Sequence, residues 1–200
     1  MKKLLIILVL AVMYSSVARG DDLEDGYIAY EKGDYATALK LWRPLAMQGD
    51  TYAQSILGVM YHNGQGVIQD YKESIKWYRK AAEQGDAYAQ FNLALMYDNG
   101  KKGVMQDYKE AAKYYRLAAK QGDAGAQFNL GFMYGDGLGV TQDYVLAHMW
   151  YNLAAGNGNE RGKKNRDLIA KEMTSYQISK AQDVARDCLM KQYKNCDFSS

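Results

Sequence analysis

Apolar residues recur along much of the chain at spacings of three and four positions, the pattern of one buried face of an α-helix. Three such segments begin after Gly49, Gly85 and Gly122, and we call each predicted helix a helix A. An aspartate stands before each one and is suited to cap it, because a carboxylate accepts the unpaired N–H groups of the first turn. The caps are Asp50, Asp86 and Asp123, and the apolar faces are Ala53, Leu57, Met60 and Tyr61; Ala89, Leu93, Met96 and Tyr97; and Ala126, Leu130, Met133 and Tyr134.

A second apolar stripe follows each helix A and predicts a helix B. Asp70-x-x-Glu73 and Asp107-x-x-Glu110 have the spacing of capping boxes, and Asp143 starts the third copy. A glycine-rich loop joins the two helices, and glycine suits the end of helix A because it adopts positive φ without a Cβ clash. The helix B faces are Tyr71, Ile75, Tyr78, Ala81 and Ala82; Tyr108, Ala112, Tyr115, Ala118 and Ala119; and Tyr144, His148, Tyr151, Ala154 and Ala155.

The skeleton GD-x-x-AQ-x-x-L-x-x-MY-x-x-G occurs three times, with starts 36 and 37 residues apart. A fixed period with slippage confined to one loop predicts a repeat array. We assign repeats to residues 51–86, 87–123 and 124–159. Because a single repeat cannot bury its own apolar face, altered end units are expected. These are a capping helix pair at 21–50, and capping helices with a tail at 160–200.

The last predicted helix opens with a capping box from Thr174 to Gln177. Its apolar face is Ile178, Ala181, Ala185, Cys188 and Leu189.

The motif AQ-x-x-L-x-x-MY-x-x-G-x-GV-x-x-DY-x-x-A-x-x-WY-x-x-AA-x-x-G resembles the Sel-one-like repeat, which is similar to the tetratricopeptide repeat. The resemblance covers Tyr35 to Asn159. It implies an all-α fold, a right-handed α-solenoid of antiparallel helix pairs with a C-terminal capping helix. It also implies a role in holding other proteins, often at the bacterial envelope or the host surface.

Residues 1–20 have the features of a secretory signal peptide. Lys2 and Lys3 precede an apolar run of eleven residues, and small residues follow it. We expect cleavage after Gly20, with Ala18 as the alternative, and a periplasmic or secreted protein that does not span the membrane. Removing the segment leaves 22 basic against 23 acidic residues, without the basic excess of a nucleic-acid binder. The remaining basic cluster, RGKKNR at residues 161–166, is interpreted as a solvated helix face.

The sequence offers little catalytic chemistry. His62 and His148 are not paired by spacing, so no metal site is predicted, and no cofactor is expected. Some cysteine-rich members of the resembled family are linked to penicillin binding or β-lactam hydrolysis, but this chain has no Ser-x-x-Lys and no cysteine pairs in its repeats. We therefore expect no enzyme. Cys188 and Cys196 are expected to form a disulfide in an oxidising compartment, with free thiols as the alternative.

The face of helix A opposite the repeated residues is unusually apolar for a solvent face. Its phenylalanines are expected to pack on the neighbouring repeat, whereas residues at the helix ends are the better contacts for a partner. The partner-binding candidates are Tyr52, His62, Tyr88, Asp98, Phe91, Phe128 and Phe132. We expect a monomeric, exported, non-catalytic scaffold that presents a concave groove to a protein partner. The alternatives are an envelope hydrolase or β-lactam-binding protein, and a fixed accessory of a flagellar, secretion or polysaccharide-export machine.

Overall fold

The structure, a computed structural model, describes residues 21–100, 103–193 and 196. The predicted signal peptide lies outside these residues. The described residues contain no β-strand, which confirms the all-α prediction. The helices are α1 (21–31), α2 (Tyr35–Met47), α3 (Thr51–Asn63), α4 (Tyr71–Glu83), α5 (Ala87–Asn99), α6 (Tyr108–Ala119), α7 (Ala124–Asp136), α8 (Tyr144–Gly156), α9 (Glu160–Ile169) and α10 (Ser175–Met190), with a 3₁₀ turn at Ala170–Glu172.

The helices fall into two compact units, one up to Gln84 and one from Gly85 onward. In the first unit, α2 packs on α3 and α3 packs on α4. In the second unit, each helix from α5 to α9 packs on the next, and α10 packs on α8. Packing in successive pairs is the arrangement of an α-solenoid, so the predicted fold class is confirmed within the units.

The predicted helix A caps are present. The side chains of Asp50, Asp86 and Asp123 accept hydrogen bonds from the backbone nitrogens three residues later, at 2.8, 2.6 and 2.6 Å. At the other end, α3 stops at Gly64, which has a φ of 72°. A left-handed backbone of this kind is open to glycine at little cost, which explains why glycine ends helix A.

The two capping boxes predicted for helix B are wrong, although their aspartates do cap the helices. Asp70 accepts hydrogen bonds from the backbone nitrogens of Lys72 and Glu73, at 2.9 and 3.1 Å. Glu73 does not complete the box, because its carboxylate binds Lys76 on the next turn instead. Glu110 in α6 likewise pairs with a lysine three residues later. The box that opens α10 is complete, with Thr174 and Gln177 bonded in both directions.

The apolar residues of the repeated skeleton form the cores. Leu57, Leu93 and Leu130 have no exposed surface. The first unit adds Trp42, which is fully buried and donates its indole N–H to the Leu23 carbonyl at 3.2 Å. On α10 the buried residues are Ala181, Ala185 and Cys188. Leu189 is 49% exposed, so its assignment to the apolar face is wrong. It follows Cys188 directly and therefore points about 100° away around the helix.

The repeated Gln of the skeleton has a polar role. A side-chain amide at the end of each repeat donates to this glutamine, 30 or 31 residues earlier. It also donates to the carbonyl of the glycine just before the repeat, 35 or 36 residues earlier. Because the glutamine is buried in each case, these bonds satisfy polar groups that would otherwise be costly. The bonded sets are Gln84 with Gln54 and Gly49 (2.8 and 3.1 Å), Gln121 with Gln90 and Gly85 (2.8 and 2.9 Å), and Asn157 with Gln127 and Gly122 (2.9 and 3.4 Å).

A disulfide links the end of α10 to the segment that follows it. Cys188 and Cys196 form a disulfide with a Cα–Cα distance of 5.3 Å, and both residues are buried. Between them, Tyr193 adopts a φ of 62°, a conformation that non-glycine residues adopt at a cost. Its hydroxyl and the Asn157 side chain are 2.9 Å apart, which adds the tail to the polar contacts of the last repeat.

Candidate protein-binding cleft

The residues predicted to contact a partner divide between the two units. In the first unit, Tyr52 is 46% exposed and meets the Trp42 ring edge-on, at 6.2 Å between centroids. Partial burial raises the pKa of Tyr52, and Tyr27 and Tyr30 on α1 raise it further. His62 is half-buried. Its ring meets that of Tyr71 edge-on at 5.2 Å, so it is part of the packing between α3 and α4.

The remaining candidates lie in the second unit, where they differ in exposure. Tyr88 is 53% exposed and Phe132 is 43% exposed, so both offer ring surface to a partner. Phe91 packs against Tyr115 at 6.0 Å between ring centroids. A Cβ atom added at Gly125 would lie 3.2 Å from the Phe91 ring, so this phenylalanine fills space between helices. Its place as a binding residue is therefore not supported by its packing.

Three of the predicted residues, Asp98, Phe128 and Phe132, share one cleft. The cleft has a volume of about 480 Å³ and lies along α7 and α9, with Asp98 contributed by the end of α5. Five further residues complete it: Asn129, Arg161, Lys164, Asn165 and Leu168.

The floor and walls of the cleft are apolar. Phe128 is 6% exposed and rests on Tyr151, with ring centroids 5.7 Å apart. Phe132 and Leu168 are exposed large apolar residues on α7 and α9. The guanidinium of Arg161 lies over the Phe128 ring at 4.4 Å, a cation–π contact that holds the charge at the cleft.

The acidic residue of the cleft has a hydrogen-bond partner, whereas its two basic residues have no ion-pair partner among the described residues. Asp98 accepts a hydrogen bond from the Tyr115 hydroxyl at 3.0 Å. Burial raises the pKa of Tyr115, and the Asp98 carboxylate raises it further, so Tyr115 remains a protonated donor. Arg161 and Lys164 are exposed and form no ion pair with any described residue. The side of the cleft formed by α9 therefore presents two cations to solvent.

Two asparagine amides line the same cleft. Asn129 hydrogen-bonds with the Tyr115 side chain, and the Asn165 amide lies 3.5 Å from the Tyr151 hydroxyl. Each amide carries two donors and a carbonyl oxygen, so both keep hydrogen-bonding capacity beyond these tyrosines. Amides at an open cleft suit the N–H and C=O groups of an extended polypeptide.

The cleft continues past Phe132 into a second depression of about 240 Å³, and Phe132, Asn165 and Leu168 line both. Gly135 lines this part, and a Cβ atom added there would lie 3.7 Å from the Ile169 side chain, an ordinary contact distance. Its charged residues are Asp136 and Glu172, with no cation among its lining. The combined groove is thus basic at one end and acidic at the other.

Another depression of about 480 Å³ lies where α8 and α10 begin. Its carboxylate, Asp143, already caps α8 by accepting from the Leu146 nitrogen at 3.0 Å. Its one cation, Lys180, stands beside the amide side chains of Gln142 and Gln177. This depression lacks the phenylalanine floor of the α7–α9 cleft and is the weaker candidate.

The sequence alone predicts a solvated face at residues 161–166 and does not identify the α9 side of the cleft. An alignment of α9 with the preceding helix A does indicate this side of the cleft. Gly158-Asn159 aligns with Gly122-Asp123, and Asn159 caps α9 by accepting from Gly162 at 2.9 Å. The alignment places Lys164, Asn165 and Leu168 at the positions of Phe128, Asn129 and Phe132.

Within the described part of the chain, no group of three His, Cys, Asp or Glu side chains is arranged to hold a metal ion. None of the described helices combines the length and apolar character needed to cross a membrane.

Helix pairs that pack in succession within each unit are typical of an α-helical repeat protein. The Sel1 repeat pattern matches residues 23–50, 51–86, 87–123 and 124–159, and the chain therefore belongs to the Sel1 repeat family. Such repeats commonly mediate protein–protein interaction, and the family is generally non-catalytic. The first matched segment is the helix pair expected to form the N-terminal cap.

Two solved structures of the same fold are similar to this chain. A Sel1 repeat protein from Oxalobacter formigenes is 36% identical over 72% of this chain and 59% of its own length, with a TM-score of 0.68. The protein c5321, a protective antigen of uropathogenic Escherichia coli with an SLR fold, is 31% identical over 89% of this chain and 47% of its own length, with a TM-score of 0.53. The chain thus spans about half of each relative. No curated protein matches it significantly.

Proposed function

We propose that this protein is an exported, non-catalytic scaffold that binds another protein through the cleft between α7 and α9. The observation that carries the proposal is the cleft itself. An exposed apolar wall at Phe132 and Leu168 stands beside two cations that form no ion pair with any described residue. Covering the apolar surface and pairing the two charges would both favour association with a partner. The membership of the Sel1 repeat family supports a protein as the partner.

Export is supported by two features. The first twenty residues have the order of a signal peptide, and Cys188 and Cys196 are joined in a bond that persists in oxidising compartments. Amino-terminal sequencing of protein from the envelope or medium should give a chain that begins at Asp21. A mature protein that retains Met1 would contradict export by this route.

The binding role is tested with a photo-crosslinking residue. We would place p-benzoylphenylalanine at position 132, in the cleft, and in a matched variant at position 176, where Tyr176 is 78% exposed on α10. Irradiation in the native host should give a discrete crosslinked protein from position 132 only. The same products from both positions, or none from 132, would show that the cleft is not the binding surface. A product with fixed stoichiometry would favour a permanent machine component over a transient scaffold.

A further inference from the structure

We infer that the α7–α9 cleft selects a polypeptide segment in which an acidic residue precedes or follows a bulky apolar residue, and that Arg161 and Lys164 read the acidic side chain. The inference rests on the proposed scaffold function and adds the chemistry of the partner. It depends on the charges of α9, where Arg161 and Lys164 occupy positions that are uncharged in α7.

The two cations stand on the α9 side of the cleft. Lys164 occupies the position that Phe128 has in α7, so one side of the cleft is charged where the preceding repeat is aromatic. Arg161 is held over the Phe128 ring at 4.4 Å, close to the apolar floor. A carboxylate that binds these two side chains would therefore lie beside the place where an apolar side chain is buried. Carboxylate–guanidinium pairs gain strength from charge assistance and paired geometry.

The apolar wall of the cleft borders the same space as the cations. Phe132 and Leu168 expose ring and aliphatic surface to the same space that the two cations border. An aromatic or branched aliphatic side chain from a partner would cover both, and such anchors contribute most of the energy of many interfaces. The amides of Asn129 and Asn165 lie on the cleft lining and can hydrogen-bond the partner backbone on either side of the anchor.

The far end of the groove carries the opposite charge. Asp136 and Glu172 line the continuation of the cleft, so an acidic residue is repelled there and a basic one is attracted. The path from Lys164 to Glu172 along α9 and the 3₁₀ turn is roughly 13 Å, from 1.5 Å per α-helical and 2.0 Å per 3₁₀ residue. An extended peptide covers that span in about four residues. The preferred segment therefore carries its acidic and basic residues about four positions apart, with the apolar anchor between them.

Asp98 lies at the basic end and would oppose an acidic ligand if it were unbonded. Its carboxylate accepts the Tyr115 hydroxyl hydrogen at 3.0 Å, and Tyr115 is held protonated by its burial. This hydrogen bond disperses part of the Asp98 charge. Two cations against one hydrogen-bonded carboxylate leave this end attractive to an acidic side chain.

The test is selection from a random peptide library displayed on phage, with the full mature chain as bait at physiological ionic strength. Enriched peptides should share an acidic residue next to an aromatic or branched aliphatic one. Their affinity would then be measured by fluorescence polarisation for the chain and for two charge-reversal variants. Lys164→Glu alters the cleft, whereas Lys163→Glu is the matched control, an exposed neighbour on the same helix that does not line it.

We expect Lys164→Glu to weaken binding about tenfold, which corresponds to about 1.4 kcal/mol. Lys163→Glu should change it by no more than about twofold, because a charge outside the contact acts through screened solvent. Enrichment of peptides that lack an acidic residue beside the apolar anchor, no enrichment at all, or equal effects of the two variants would each overturn the inference. Tighter Lys164-dependent binding of single-stranded DNA or heparin than of any peptide would also overturn it, since the ligand would be a polyanion. In all these cases, crosslinking at position 132 still decides the scaffold function separately.

Discussion

Helix α9, which lines the cleft, approaches α8 closely at Gly162. An added Cβ atom at this position would lie 2.8 Å from the Ala154 Cβ and 3.0 Å from the Tyr151 carbonyl oxygen. Carbon atoms normally approach to about 3.5–4.0 Å, so α9 would have to move away by roughly 1 Å. Neither neighbour is the end of a flexible side chain, so the contact cannot be relieved by a rotamer change. The equivalent position of the preceding helix A is Ala126, which shows that α7 tolerates a methyl group there.

We therefore predict that Gly162→Ala destabilises the protein although alanine is the better helix former. Overpacking costs about 1–3 kcal/mol, and the gain in helix propensity offsets at most about 1 kcal/mol. The net loss of up to about 2 kcal/mol should lower the melting temperature by up to about 6 °C. Because α9 carries Arg161 and Lys164, the same change should weaken binding of any peptide that the cleft selects.

The control is Gly156→Ala at the end of α8, where an added Cβ atom would meet no atom within 4 Å. It should be neutral or slightly stabilising, since it relieves the entropic cost of glycine without a clash. Thermal unfolding followed by circular dichroism compares the two variants. Equal melting temperatures for Gly162→Ala and Gly156→Ala would refute the argument that the α8–α9 contact limits the position of α9.

Three further predictions concern the core, the disulfide and a buried histidine. Leu93→Ala should cost about 2–5 kcal/mol, whereas Tyr88→Ala should cost less than about 1 kcal/mol, because Leu93 has no exposed surface and Tyr88 is 53% exposed; equal losses in chemical denaturation would contradict this. Reducing the Cys188–Cys196 bond should remove about 2–3 kcal/mol without loss of helix content, and thiol labelling of the unfolded, unreduced chain should find no free thiol. Burial, and secondarily the charge of Arg166, lowers the pKa of His148, so the unfolded chain binds this proton more readily and stability should fall as the pH drops below about 6.5; His148→Ile, which copies Ile75, should reduce that fall.

The fold was largely predictable because its determinants are local and repeated. The caps at Asp50, Asp86 and Asp123 need only a carboxylate at the right offset from a helix start, and the sequence shows that offset directly. The failed capping boxes have a local cause as well. Glu73 can reach either the cap backbone or Lys76, and sequence spacing alone does not decide between two partners at similar distance.

The cleft was harder to predict because its residues come from helices whose sequences differ. Phe128 and Phe132 lie on one stripe of α7, yet one is buried and the other is exposed. Phe128 packs against Tyr151 of α8, and Arg161 of α9 lies over its ring. That contact joins residues 33 positions apart in sequence, and no periodicity within α7 indicates it.

Among the residues of α9 itself, Gly162 is the one that is buried, which sets this helix apart from α5 and α7 with their alanine, glutamine, leucine and methionine cores. Polar contacts also hold α9 in position. The Asn159 side chain donates to the Ala124 carbonyl at 3.2 Å, and Arg166 donates to Asn152 at 3.1 Å. Lys164 takes part in neither contact. Its identity can therefore change at little cost to stability, as is usual for exposed positions. Helix α9 therefore contributes little to the core, and the charge that it presents to the cleft can change without loss of the fold. We expect the binding preference to follow the residue at position 164 and not the repeated skeleton.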